Sequence, residues 1–525
     1  MLLDRNDINP NTMDQYDKTP LFVAAREGHE PVVKALLERE EVNPNIADRD
    51  GQAPLHIAAH RGHEWVVKTL LGRNDVNLNT VSQEGQTPLL VAARKGHEIV
   101  VKALLERKDV NPNIAGNYGQ TPLDTASRHG HEGVVKMLLD RNDVSSNATD
   151  IDYQMPLFKV GCGEQKELVL TPHTASQYNH TLLFAAAQEG DQGIVATLLD
   201  RKDINPNTTN QRGQTPLFIA AWNGHGEVVK ALLERVDVNP NTMDNYGQTP
   251  LYIAAYEEHE GVVKMLLDRN DVNPNTLNQR GQTPLFIATW NGSGEVVKAL
   301  LERADVDANI ISQDGHTPLS VAAWYGREGM MKSLLERVDV SPNTANTDGR
   351  VPLYIAARQG HGGIVKMLLD RNDVNPNTVN QYGRTPLFAA ARDGHERVVK
   401  TLLGRVDVNP NTADIGGQAP LYIDAYEGHE GVVKMLLDRN DVNPNTLNER
   451  GQTPLFIAAR GGHEIVVKTL LERVDVNSDI IDLAGQTALS QAQKRGHNAI
   501  VKLLSEHRNS IPSFYNHEFT ALSSP

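Results

Sequence analysis

The chain has a single cysteine, Cys162, in 525 residues. That excludes an intramolecular disulfide and fits a reducing compartment. No His or Asp pattern surrounds Cys162, so a nucleophilic or redox role is not expected. Long apolar runs are missing, and Met1-Leu2-Leu3-Asp4-Arg5 does not read as a secretory leader, so membrane insertion and secretion are disfavoured. Net basic charge is missing as well. The formal charge is -15, and Lys and Arg alternate with Asp and Glu in every unit, which argues against nucleic acid as a partner. There is no phosphate loop, nucleophile elbow, kinase signature or zinc spacing, so no enzyme, cofactor or metal site is expected.

What the chain does have is a period. Gly213-Gln214-Thr215-Pro216-Leu217-Phe218-Ile219-Ala220-Ala221 returns along its length. The proline steps by 34 residues from Pro20 to Pro156, and again from Leu182 through Pro216 and Pro454 to Ala488. A fixed step of this size predicts an all-α repeat solenoid, whose function resides in the surface it displays. Thr19 reads as a helix cap, Pro20 as the first helical residue, and Leu21, Ala24 and Ala25 as an apolar face. Gly28 suits a left-handed stop. His29-Glu30 then opens a second helix whose Val32, Val33, Leu36 and Leu37 recur at helical spacing. Eleven histidines share this helix-opening place, where a capping role explains them; ligands one repeat apart, at about 10 Å, are too distant for one ion.

At these residues the chain resembles the ankyrin repeat family, whose units carry Thr-Pro-Leu-His-x-Ala-Ala, a Gly-His turn and an Asp-Val-Asn segment. The resemblance spans Leu2 to Arg508 apart from the residues after Leu157. It implies helix-turn-helix units of 34 residues with short hairpin loops. It also implies a non-catalytic, monomeric intracellular scaffold, cytoplasmic or nuclear, that binds a protein or peptide on its concave surface. Two departures are regular: the motif histidine survives only at His56, and Asn-Pro-Asn lengthens each unit by one residue. Such arrays are similar to those common in filamentous fungi.

Met1 to Asp7 repeats Met265 to Asp271 in pattern, so the chain starts inside a second helix. The start is either that of a fragment or a misassigned one. The alternative function is thus the recognition part of a larger signalling protein. The expected organisation is an N-terminal stack over 1–150, a degenerate unit or linker over 151–180, a C-terminal stack over 181–508 and a disordered tail over 509–525. Residues 157–181 read as a decayed unit, a gene-model error or a hinge, with protease sensitivity expected near Lys159 and Lys166.

Variation between units marks the candidate site. Six residues after each repeat proline or its counterpart stand Arg26, His60, Arg94 and Arg128, then Gln188, Trp222, Tyr256, Trp290 and Trp324, then Arg358, Arg392, Tyr426, Arg460 and Lys494. By resemblance, neighbouring turn residues add Arg212, Tyr246, Arg280, Tyr325 and Tyr382. Aromatics flanked by arginine suit a binding hot spot, although Trp290 also reads as an inherited copy of Trp222. Two irregular residues carry structural expectations. Glu258 replaces a turn glycine and is expected to be strained or shifted, and Asp424 replaces an apolar-face alanine and is expected to weaken its unit unless it finds a hydrogen-bond partner.

Overall fold

The computed structural model describes residues 9–141, 143–144, 182–202 and 204–510. Cys162, Lys159, Lys166, the interruption expected at 157–181 and the tail beyond 510 lie outside these residues. The described residues form 28 helices and no strand. The chain divides into two compact units, residues 1–273 and 274–525.

In the first unit the first helices of each pair are α1 (Pro20–Arg26), α3 (Pro54–Arg61), α5 (Pro88–Lys95), α7 (Pro122–Arg128), α9 (Leu182–Glu189), α11 (Pro216–Trp222) and α13 (Pro250–Tyr256). Their partners are α2 (Glu30–Leu37), α4 (Glu64–Leu71), α6 (Glu98–Leu105), α8 (Glu132–Leu139), α10 (Gln192–Leu199), α12 (Gly226–Leu233) and α14 (Glu260–Leu267). In the second unit the first helices are α15 (Pro284–Asn291), α17 (Pro318–Tyr325), α19 (Pro352–Arg358), α21 (Pro386–Arg392), α23 (Pro420–Glu427), α25 (Pro454–Gly461) and α27 (Ala488–Arg495). Their partners are α16 (Gly294–Leu301), α18 (Glu328–Leu335), α20 (Gly362–Leu369), α22 (Glu396–Leu403), α24 (Glu430–Leu437), α26 (Glu464–Leu471) and α28 (Asn498–Ser510).

Helices this short are marginal alone, and packing stabilises them. Within each unit, first helices pack on first helices and second on second. Helix α11 buries its whole opening sequence, Pro216, Leu217, Phe218, Ile219, Ala220 and Ala221, whereas the terminal α27 buries only Ala488, Gln491 and Ala492. Thr215 caps α11 by accepting from the Phe218 N–H at 3.1 Å, as the sequence predicts for Thr19 and its counterparts. The glycines that end the first helices carry positive φ, Gly224 at 73°. A Cβ there would meet the His259 ring at 2.7 Å, so conformation and contact both require glycine.

Three sets of hydrogen bonds tie neighbouring pairs together. The helix-opening histidines form no side-chain cap, which corrects the capping expectation. Their rings reach back instead: Nε2 of His259 lies 2.9 Å from the Trp222 carbonyl, and that of His395 2.9 Å from the Arg358 carbonyl. The reason is geometric, since the ring lies across the preceding glycine turn, where the end of the earlier first helix leaves a carbonyl unsatisfied. The arginine after each second helix does the same for the earlier second helix. Arg235 donates to the Leu199 carbonyl at 2.6 Å and pairs with Asp237 at 2.6 Å. The loop asparagines look forward: Asn241 donates to the Asp271 carbonyl at 2.6 Å and accepts from the Asn273 N–H at 2.8 Å.

The register survives where the period breaks. Helix α9 packs on α7 and α10 on α8, and Arg201 donates to the Leu139 carbonyl at 2.8 Å. That bond reaches back 62 residues, where Arg235 reaches back 36.

Glu258 is strained as the sequence predicts, whereas Asp424 finds a partner for one of its two oxygens. Glu258 takes φ 64°, a left-handed conformation unfavourable for a residue with a Cβ. Asp424 is fully buried in α23. Its Oδ1 lies 3.1 Å from Nδ1 of His429, while Oδ2 has no partner. Burial, with Glu396 and Glu427 adding repulsion, pushes its carboxyl up to about 9. His429 Nδ1 faces two acceptors, Asp424 Oδ1 and the Ala391 carbonyl, so its N–H is the donor to both, and with Asp424 neutral no unpaired charge is buried. His429 is correspondingly turned, with Nδ1 rather than Nε2 directed at the Ala391 carbonyl.

Candidate partner-binding face

The ends of the first helices decide what the array shows. Residues one to five after each proline point inward, so the sixth begins the exposed surface. In the first unit Trp222 and Tyr256 are half-buried at the ends of α11 and α13, more covered than an exposed strip would require. The Trp222 ring meets buried Phe218 edge-on at 5.9 Å, and its carbonyl is the acceptor for His259. In the second unit Trp290, Trp324 and Tyr325 are 36%, 37% and 40% exposed. Trp290 stacks on Phe286 at 6.1 Å and meets Tyr325 of the next pair edge-on at 5.3 Å. Trp324 lies edge-on to His316 at 6.3 Å. These rings are fixed by packing, which lowers the entropy lost when a partner covers them.

The turn residues are held by buried Asn and Asp side chains. Asp244 Oδ1 accepts from the Tyr246 N–H at 2.9 Å and the Gln248 N–H at 2.8 Å. Asn380 holds Tyr382 in the same way at 2.9 Å, and Arg384 lies 5.6 Å from the Tyr382 ring centroid. Tyr246 is 59% exposed. Arg212 is half-buried and Arg280 exposed, and each gives its carbonyl to the next turn, through Asn245 and Gln313. Arg358 is half-buried with no ion pair among the described residues. Arg392 is different, because Asp393 takes both Nε and Nη2 at 2.8 and 2.9 Å, leaving little charge for a partner.

The structure thus gathers the sequence candidates into two groups. Trp222, Tyr256, Arg212 and Tyr246 belong to the first unit, and Trp290, Trp324, Tyr325, Arg280, Arg358, Tyr382 and Arg392 to the second. It also shows exposed aromatics outside the first-helix row. Trp65, on α4, is 63% exposed under the Lys68 ammonium at 5.0 Å, and Tyr118 is 61% exposed on a turn. The signal for Trp65 was available, since it is the one tryptophan outside the first-helix row. Among the described residues no cluster of His, Cys, Asp or Glu could hold a metal ion, and no helix is long and apolar enough to cross a membrane.

Stacked helical hairpins with repeated bonds inside and varied residues at the helix ends define a repeat protein of the recognition class. Family comparison agrees and makes it specific. The model for ankyrin repeats matches residues 1–80, 73–150, 164–244, 182–276, 270–346, 338–414 and 421–515, so the chain belongs to the ankyrin repeat family. No curated protein matches it. Ankyrin repeats are in general protein-protein interaction modules.

Proposed function

We propose that this chain is a non-catalytic scaffold that binds a protein or peptide segment across the exposed ends of its first helices, with Trp290, Trp324 and Tyr325 as its main anchors. The carrying observation is the contact of Trp290 with Tyr325 on adjacent helices at 5.3 Å, which joins two large rings into one partly exposed patch beside Trp324, the residue before Tyr325. Arg358, one helix further on, supplies positive charge at the patch edge, so a segment with apolar anchors and some acidic residues fits it. Peptide-library selection on the full chain tests the reading. Selected peptides should bind the Trp290→Ala/Trp324→Ala variant at least about thirtyfold more weakly, a loss of about 2 kcal/mol. Equal affinity for the variant would remove these rings from the site.

A further inference from the structure

The first four pairs carry a different display on the same frame. At the sixth and seventh places after the proline, α3 ends in His60-Arg61, α5 in Arg94-Lys95 and α7 begins its turn with Arg128-His129. In the same places, the later pairs of this unit carry Gln188-Glu189, Trp222-Asn223 and Tyr256-Glu257. The repeat therefore does not require cations there. Arg61 and Lys95 are exposed and Arg94 half-buried, and none of the three has an ion pair among the described residues. Glu27, the acid beside this row, is held by Arg26 at 2.7 Å. His60 reports the local field. Its imidazole is held below the usual range by burial first, and then by Lys95, Arg94, Arg61 and His97, all of one sign.

We propose that the ends of α3, α5 and α7 form a second docking surface, which takes an extended acidic segment of a partner protein. Neighbouring helices lie about 10 Å apart. An extended chain rises about 3.3 Å per residue, so a carboxylate at every third residue meets successive helices. Duplex nucleic acid fits less well. It carries a charge every 1.7 Å or so of its axis, far denser than cationic helix ends about 10 Å apart.

The test is fluorescence anisotropy on the full chain, using a labelled peptide of about twelve residues with glutamate at every third position. The expected result is binding that weakens as sodium chloride rises, with no binding of the matching lysine peptide. Arg94→Glu/Lys95→Glu should lower affinity at least about tenfold with an unchanged melting temperature. Trp290→Ala/Trp324→Ala should leave it unchanged, which separates this surface from the aromatic one. Three results would overturn the proposal: no binding of the glutamate peptide at low salt, affinity unaffected by the charge reversal, or tighter binding of a single-stranded oligonucleotide of the same length.

Discussion

At the loops, Asn241 and Asn309 stand in the same place of their repeats and make the same two bonds to the following pair. At the ends of the first helices, Trp324 and Arg358 also stand in the same place. Their carbonyls do the same work, accepting from His361 at 3.1 Å and His395 at 2.9 Å, but their side chains share nothing. The difference separates two jobs within one repeat. Groups that bond along the array are fixed by its translation, while a side chain beyond that bond can change and leave the bonds between pairs in place.

The comparison breaks most sharply where glycine and histidine meet. Gly224→Ala places a Cβ in the left-handed region and 2.7 Å from the His259 ring, and should destabilise by about 2–4 kcal/mol in thermal or urea unfolding. Adding His259→Ala should recover part of that loss. A double variant as unstable as the sum of the two singles would show that ring and turn are not coupled.

Asp424 is the next largest effect, in the opposite direction. Asp424→Ala should stabilise by about 1–3 kcal/mol at neutral pH, because it removes a buried polar group lacking one partner. The pH dependence follows from a folded-state pKa of about 9 against 3.8. Between these values the unfolded state has released a proton that the folded state keeps, so stability falls as pH rises. The contribution is fully present below pH 3.8 or so and lost by about pH 9. Unfolding across this range should show a downward slope that Asp424→Ala lessens. Parallel pH profiles for the two proteins would mean that Asp424 is ionised when folded.

The smallest effect is a single loop rung. Asn309→Ala removes bonds of 2.7 Å to the Asp339 carbonyl and from the Ser341 N–H, and should cost about 1 kcal/mol. No change in the unfolding midpoint would show that water replaces these bonds without loss.

Most of the fold was legible because its signals are local. Thr19 and Pro20 open α1 and His29-Glu30 opens α2 as the sequence requires, and the repeated proline, replaced by Leu182 in α9 and Ala488 in α27, locates the equivalent helix starts. The strain at Glu258 and the buried Asp424 were readable for the same reason, since each departs from a pattern its neighbours define. The bonds between pairs were not readable in the same way. His259 could be placed at a helix start from sequence, but its partner, the Trp222 carbonyl, lies 37 residues back and becomes visible only when the pairs are stacked. For the candidate site, position was legible and environment was not. Periodicity places Trp222 and Trp290 in one row, whereas the packing of Phe218 and Phe286 beneath them determines how much of each ring is covered.

The division of labour between fixed and varied positions is tested most directly by measuring binding and stability together on Trp290→Ala/Trp324→Ala and on Asn309→Ala, using one selected peptide. The tryptophan variant should lose at least about thirtyfold in affinity, with a stability loss of about 1–2 kcal/mol from the Phe286 and Tyr325 contacts. The asparagine variant should lose about 1 kcal/mol of stability and keep its affinity within about twofold. A tryptophan variant that binds normally but unfolds early, beside an asparagine variant that is stable but cannot bind, would contradict the account.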